Sequence, residues 1–417
     1  MENIIFHIDV NSAYLSWTAV KMLKEGSSVD IRTIPCIIGG DKEKRHGIVL
    51  AKSIPAKKYG IVTGEPVVDA FRKCPNLMMV PPEHDYYSVQ SKKFINILKE
   101  YTPDIEQVSV DECYFDFTGI QKQFSSPVEA ANIIKDRIRE ELGFTVNIGI
   151  SDRKVLAKMA SDFEKPDKVH TLFLNEIQTK MWQLPVEELF MAGKSSVVTF
   201  HKLGIYTIGQ LANTPVEVLE YHLKSHGRLL WEYANGIDSQ TVSTEKEELK
   251  GIGNSTTLAK DVSNIEEIQK VLLMLSDKVA GRIREAHQKA QVVCVEIKYA
   301  DFTKVSRQTT VEKPVSTSGE IHKLSCRLFE EIWTGKPVRL LGIRTGKLLD
   351  EAEPEQMNLF EMNFGEGSID TSQEKSTVNA EKMKKLESAL DNIRKKYGED
   401  AISRASLMNQ KDKLPFD

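Results

Sequence analysis

Cysteine is scarce in this chain. Its 417 residues include five (Cys36, Cys74, Cys113, Cys294 and Cys326), an odd number, widely spaced and with no CxxC pair. Neither a disulfide framework nor a zinc site is indicated, and a reducing cytoplasm fits. Long apolar runs are also missing: none approaches the roughly 20 residues of a membrane span. The N-terminal stretch MENIIFHIDVNSAY is acidic early and turns directly into a strand, so it does not read as a signal peptide. Nor is there an excess of positive charge. The net charge is −4, which speaks against a generic polyanion binder. No long internal repeat is present. What remains is the composition of a soluble globular protein, 41% hydrophobic and 28% charged, too long for a single core.

The charge is uneven along the chain. Residues 250–350 hold 17 Lys and Arg against 12 Asp and Glu, whereas residues 351–417 hold 10 against 14. A basic segment between acidic parts hints at a nucleic-acid contact surface.

NIIFHIDV (3–10) is an apolar strand ending near Asp9, and SAYLSWTAVKMLKEG has helical spacing up to Gly26. IPCIIGG and HGIVLAKS read as strands, and PAKKYGI as a short helix. A helix over residues 86–101 precedes two strands, IEQVSV and ECYFDF. SPVEAANIIKDRIREELG is a helix with Ser126 as N-cap, Pro127 at its first position and Gly143 as its stop. FTVNIGI is a strand, and DRKVLAKMASDFEK a helix ended by Pro166. Without residues 12–77 the order is β-α-β-β-α-β, the ferredoxin-like arrangement, so 12–77 reads as an insertion. Short helices follow to residue 238. Two of them, in HKLGIYTIGQLA, flank a tight LGI turn resembling half of a helix-hairpin-helix, which offers backbone N–H groups to phosphate. DSQTVSTEKEELKGIG (238–253) reads as a linker, and residues 254–349 as a second α+β domain.

QVSVDECYFDFTG (107–119) poses the chemical question, because Asp111 and Glu112 sit side by side in an otherwise strand-like pattern. Adjacent strand residues point to opposite faces, so the two carboxylates converge only where the pleat breaks, as at a hairpin tip. Asp9 ends a strand that can lie beside that hairpin. Three carboxylates at one point repel one another unless a cation neutralises them. Oxygen-only ligands suit Mg²⁺ or Mn²⁺, and two such ions roughly 3.5–4 Å apart support phosphoryl transfer.

HIDVNSAYLS, SVDECYFDFTG and GISDRKVLAKMASDFEKP resemble, in that order, motifs of the Y-family DNA polymerases of the DinB/UmuC type. The resemblance runs from residue 3 to about 350. It implies an α+β multidomain, right-hand polymerase that copies past damaged bases with low fidelity. The implied parts are a ferredoxin-like palm (1–11 and 78–172), small fingers (12–77), a helical thumb (173–238), a linker (239–251) and an α+β little finger (252–350). It also implies that Asp9, Asp111, Glu112 and the Val10 carbonyl hold two Mg²⁺ ions. Tyr14 falls at the steric gate against the 2′-hydroxyl, and Lys165 meets the triphosphate of a deoxynucleotide. Gly193 and Gly204 would serve the thumb's phosphate contacts; Thr303, Lys304, Ser306 and Arg307 would serve those of the little finger to primer-template DNA.

Two departures stand out. Ala51, Ile54 and Lys57 occupy the fingers positions where the family usually has Thr, Tyr and Arg, so weaker nucleotide binding than is typical of the family is expected. Lys52, Ser53 or Lys58 could substitute. MAGK (191–194) keeps only one glycine, Gly193, of the first thumb turn.

In the acidic segment 351–375, Gln356, Leu359 and Phe360 resemble the peptide by which bacterial polymerases bind the sliding (beta) clamp. Within 376–417, Met383, Leu386, Leu390, Ile393 and Tyr397 form the apolar stripe of an amphipathic helix that Gly398 ends, expected to pack on the protein itself. A cytoplasmic monomer with no membrane contact is expected. The competing readings are a non-catalytic DNA- and clamp-binding scaffold, disfavoured by the three carboxylates, and a nucleotidyl cyclase, disfavoured by the clamp peptide and helical thumb.

Overall fold

The computed structural model describes residues 3–40, 47–245, 248–351, 371–398, 401, 402 and 404; for residues 371–381 and 384 it describes the backbone alone. The chain divides into two compact units, the boundary falling between Lys246 and Glu247.

The first unit starts with β1 (Ile5–Val10) and α1 (Ala13–Lys24). Next come β2 (Cys36–Gly39), β3 (Val49–Lys52), α2 (Ile54–Lys57), α3 (Val67–Lys73) and β4 (Met78–Val80). These three strands form a small sheet of order β3-β2-β4. There follow α4 (His84–Lys99), β5 (Ile105–Gln107), β6 (Glu112–Asp116), α5 (Pro127–Leu142), β7 (Val146–Ser151), α6 (Lys154–Asp162) and β8 (Val169–Thr171). The main sheet has the order β5-β6-β1-β7-β8. Its first four strands are antiparallel neighbours, which is the ferredoxin-like topology expected, and β8 adds a parallel fifth.

Ser126 Oγ accepts the Glu129 N–H at the start of α5, and Gly143 ends that helix at φ 81°, both as the sequence indicates. Phe6, Ile8, Phe115 and Ile148 on one face of the sheet pack with Phe94 of α4 and Ile134 of α5. Trp17 of α1 is fully buried in the same cluster. The segment 12–77 is therefore not wholly an insertion, since its first helix helps to build the main core. On the other face α6 lies against β7, at a place where a Cβ on Gly149 would come within 2.0 Å of the Ala157 carbonyl oxygen. Helix α6 stops at Asp162, earlier than Pro166.

Short helices α7 (Ile177–Lys180), α8 (Lys194–Lys202), α9 (Ile208–Ala212), α10 (Val216–Leu223) and α11 (Ser225–Ala234) complete the unit around Phe200, Leu211 and Leu230. MWQLPVEELF (181–190), which belongs to the run of short helices expected up to residue 238, forms no α-helix but holds a 3-10 turn at Val186–Glu188. The start of the supposed linker is tied down. Asp238 Oδ2 accepts the Val155 N–H (3.0 Å), the Ser243 N–H donates to Glu106 Oε2 (2.8 Å), and Val242 packs on Ile5 and Tyr114.

The second unit holds β9 (Gly253–Val262), α12 (Ile265–Glu285), β10 (Gln288–Tyr299), β11 (Lys304–Val315), α13 (Ser318–Ile332), β12 (Val338–Asp350) and α14 (Thr371–Tyr397). Its sheet has the order β11-β10-β12-β9, with α12 and α13 packed on one face. The sequence pattern misses β9. Gly398, at φ 98°, follows α14 as expected, but the docking face does not match the stripe. Met383, Leu386, Ile393 and Tyr397 are exposed, while Glu387 is buried. Its carboxylate meets Arg284 Nη1 (2.6 Å) and accepts the Ser318 N–H at the start of α13 (3.1 Å). Asp391 makes a second pair with Arg284 at 2.7 Å. The largely buried Arg284 guanidinium thus takes both its carboxylate partners from α14. Among the described residues, no helix is long and apolar enough to cross a membrane.

Candidate active site and nucleic-acid contacts

The ladder between β1 and β6 sets Asp9 directly opposite Glu112. Beyond it, the Val10 N–H donates to the Asp111 carbonyl (2.9 Å), so Asp111 is held beside the end of β1. The pleat breaks just before. The N–H groups of Val108 and Ser109 both donate to the Glu112 carbonyl, and Val108 and Val110 point into solvent instead of extending the strand. Ser109 organises this turn. Its Oγ accepts the N–H groups of Asp111 (3.2 Å) and Glu112 (3.1 Å) and donates to Asp111 Oδ1 (2.5 Å). Sequence reading missed Ser109; a serine two residues before a carboxylate at a turn is the signal that could have found it.

The charges are unevenly compensated. Burial and the neighbouring Asp9 and Glu112 push the Asp111 carboxyl up, against the hydrogen bond from Ser109. Glu112 is held down at about 2, first by a hydrogen bond from His7 and then by Lys158, against the cost of burial. Lys158 Nζ lies 2.8 Å from Glu112 Oε2 and 3.9 Å from Asp9 Oδ2. Lys165 Nζ lies 2.5 Å from Asp9 Oδ2 and 2.8 Å from Asp162 Oδ1. Burial pulls the Lys165 ammonium down, but Asp9 and Asp162 leave it raised on balance.

His7 is buried and its pKa lowered by that burial, so the ring is neutral near pH 7. Nε2 faces Glu112 Oε2 at 3.4 Å and Nδ1 faces Ser161 Oγ at 2.8 Å. The Ser161 hydroxyl also donates to the Lys158 carbonyl (2.8 Å), so His7 Nδ1 competes with that carbonyl for its one hydrogen. Lys158 and His7 were not anticipated from sequence. Among the described residues, no three His, Cys, Asp or Glu side chains stand gathered as a ready metal cage.

Tyr14 stacks on Tyr87 (centroids 4.5 Å apart, planes at 13°) and meets the edge of His84. Burial, and then the charge of Asp111, raise its phenol pKa.

In the small sheet Ala51 is buried, whereas Ile54 and Lys57 are exposed. Ser53 is not free to replace the absent threonine. Its Oγ donates to the Ile34 carbonyl and accepts the N–H groups of Cys36 and Ala56, capping α2. Lys52 donates to Thr63 Oγ1 (3.2 Å), and its pKa is lowered by burial and by the charge of Lys57, against that of Glu65.

Gly193 is the N-cap of α8, and Met191 takes the left-handed conformation (φ 70°) that favours glycine. Gly204 (φ 78°) turns the chain between α8 and α9, as the hairpin reading expects. The turn's N–H groups are occupied internally: Gly204 donates to His201 O, Ile205 to Phe200 O, and Tyr206 and Thr207 to Gln210 Oε1. A phosphate at this turn would have to displace those bonds.

In the second unit Thr303, Lys304, Ser306 and Arg307 are all exposed. Thr303 Oγ1 donates to Asp301, Lys304 pairs with Glu296 (3.2 Å) and Arg307 with Glu331 (3.2 Å). Ser306 lines a groove of about 730 Å³ across the sheet face opposite the helices, together with Gln308, Asn254, Ser255, Arg344 and Thr345. Gln356, Leu359 and Phe360 lie outside the described residues.

The comparisons with known proteins agree with one another. Residues 8–162 match the impB/mucB/samB family, and residues 249–359 match that family's C-terminal domain. The DNA polymerase IV of Clostridium acetobutylicum is 46% identical over 99% of this chain and all of its own. DNA polymerase IV of Alkaliphilus oremlandii is 34% identical over 98% of this chain and all of its own. DNA polymerase IV 2 of Bacillus subtilis is 35% identical over 98% of this chain and 95% of its own. Among solved structures, a Y-family DNA polymerase chimera of Dbh and Dpo4 is 21% identical, covers 83% of this chain and 99% of its own, and superposes with a TM-score of 0.73.

Proposed function

The chain belongs to the DNA polymerase IV group of the impB/mucB/samB family, and from that premise we propose that this DNA-directed DNA polymerase copies past damaged template bases by two-metal phosphoryl transfer. The observation that carries the reading is the register of Asp9 against Glu112, with Asp111 held at the end of the same strand.

The donor set suits the cation. Asp9, Asp111, Glu112 and the Val10 carbonyl offer oxygen alone, the chemistry preferred by Mg²⁺ and accepted by Mn²⁺. Closing that set on ions requires the Lys158 and Lys165 ammonium groups to release Glu112 and Asp9. Bound there, two divalent ions would activate the primer 3′-hydroxyl and neutralise the charge that develops on the phosphate. The protein's own residues do the rest. His7 and Ser109 orient Glu112 and Asp111. Lys165, released from Asp9, offers its charge to the triphosphate. In this reading the Tyr14 ring is the steric gate that excludes a 2′-hydroxyl, so deoxynucleotides are selected.

In this reading the main sheet with α1, α4, α5 and α6 is the palm. The small sheet is the fingers, α7–α11 the thumb, and the second unit's sheet the little finger. Gly193, Gly204, Thr303, Lys304, Ser306 and Arg307 touch the DNA backbone, and Lys57 the nucleotide. Gln356, Leu359 and Phe360 bind the sliding clamp, which raises the enzyme's effective concentration at the primer end. The enzyme acts as a monomer in the cytoplasm, where free thiols such as its five cysteines persist.

The test is primer extension by the wild type on intact and abasic templates, with and without the clamp. Extension through the abasic site, stimulated by the clamp, supports the reading. Extension that halts at the lesion under both conditions contradicts lesion bypass while leaving the polymerase activity in place.

A further inference from the structure

Lys165 sits in the turn between α6 and β8, yet its ammonium reaches Asp9 on β1. Two buried amides account for how that turn is held. Asn147, the second residue of β7, lies directly opposite Asp9 in the sheet and is fully buried. Its Nδ2 donates to the carbonyls of Ser161 (3.1 Å) and Glu164 (2.6 Å). Its Oδ1 accepts the Asn11 amide (3.0 Å) and the Lys168 N–H (3.3 Å). A carboxamide has two donor hydrogens and two acceptor lone pairs, and all four are used here.

Asn11, almost fully buried at the end of β1, continues the clasp. Its Oδ1 accepts the Thr145 hydroxyl (2.9 Å) and the Asp167 N–H (3.0 Å). The Asp167 carboxylate is gripped in turn by Lys135 (3.1 Å) and Arg139 (2.8 Å) of α5. Glu164, Asp167 and Lys168 are therefore each tied, on both sides of Lys165. Among the described residues, the Lys165 side chain makes ion pairs with Asp9 and Asp162.

We propose that Asn147 and Asn11 are positioning residues that place the Lys165 ammonium at the active site and so set the affinity for the incoming nucleoside triphosphate. The inference rests on the reading of Lys165 as a triphosphate contact. Side-chain chemistry restricts the replacements that would serve. A carboxylate at position 147 could not donate to the two carbonyls and would add buried charge beside Asp9. An aliphatic side chain would leave the carbonyls of Ser161 and Glu164 without partners.

The experiment measures steady-state KM and kcat for a correct deoxynucleotide, and the Kd for primer-template DNA, in Lys165→Ala, Asn147→Ala, Asn11→Ala and the double variant Lys165→Ala/Asn147→Ala. Losing a hydrogen bond to a charged group costs on the order of tenfold to a hundredfold in binding. Lys165→Ala should thus raise KM about tenfold or more, and Asn147→Ala should raise it by a comparable factor, with kcat and DNA affinity changed little. The double variant should be no worse than Lys165→Ala alone, because Asn147 acts through Lys165. A double variant whose losses multiply, or an Asn147→Ala enzyme with normal KM, overturns the proposal. A Lys165→Ala enzyme with normal KM overturns the reading of Lys165 beneath it. Asn11→Ala removes fewer bonds, so if Asn147→Ala does not fold, the same comparison is made with Asn11→Ala, alone and combined with Lys165→Ala.

Discussion

At the scale of single residues the site works through partners that lie inside the three quoted motifs but are given no role by them. Asp9, Asp111 and Glu112 are legible in the sequence because two adjacent carboxylates interrupt an apolar strand. Ser109, His7 and Lys158 are not, because a serine, a histidine and a lysine have many ordinary uses and only the fold brings them to the carboxylates. Tyr14 is singled out by the family resemblance, which puts an aromatic gate five residues after Asp9, and not by its spacing alone; in the structure its ring stacks on Tyr87. Tyr14→Ala should let the enzyme insert ribonucleotides at a much larger share of its deoxynucleotide rate, read by primer extension with either substrate, while deoxynucleotide insertion persists. The charges also predict a pH dependence of the metal-free protein. Glu112 is depressed from an ordinary 4.5 to about 2, so its contribution to stability is fully present above pH 4.5 and is lost as pH falls toward 2. Urea midpoints measured across that window should fall less steeply in Glu112→Gln than in the wild type.

At the scale of elements, the reading succeeds where local pattern and tertiary demand agree. Helix α5 begins at Ser126 and ends at Gly143 because a cap and a left-handed glycine act locally. It fails where a distant partner decides. Strand β5 stops at Gln107 because Ser109 and the Glu112 carbonyl bend the next residues out of the ladder. Residues 238–243 have a linker's composition, but Asp238 and Ser243 find partners on α6 and β5. Helix α14 has a clear apolar stripe, yet it docks through Glu387 and Asp391, which pair with Arg284. Glu387→Ala removes one partner of a buried pair, a loss of about 3 kcal/mol. It should speed amide hydrogen exchange along residues 382–397 with little effect on the main sheet. Gly149 sets the distance between α6 and β7. Gly149→Ala forces a carbon against the Ala157 carbonyl and should destabilise the first unit by more than about 3 kcal/mol, seen as a lower melting temperature together with lost activity.

At the scale of the whole molecule, each compact unit has a core of its own. The ferredoxin-like order of the first was readable from the spacing of its strands and helices. The part of the second unit between residues 254 and 349 was readable as α+β, and a groove lined by Ser306, Gln308 and Arg344 runs across its sheet. The family follows from the relatives matched over nearly the full chain, and the proposed chemistry from Asp9 and Glu112 on two adjoining strands with Asp111 in the turn beside them. The most direct test of that chemistry is single-turnover extension of a primer on intact template with Mg²⁺, comparing the wild type with Asp111→Asn/Glu112→Gln, after equal DNA binding by both has been verified. The account predicts extension by the wild type and a loss of at least about a thousandfold in the double variant, the scale on which removing electrostatic stabilisation slows catalysis. Extension by the double variant at a rate near that of the wild type would contradict it.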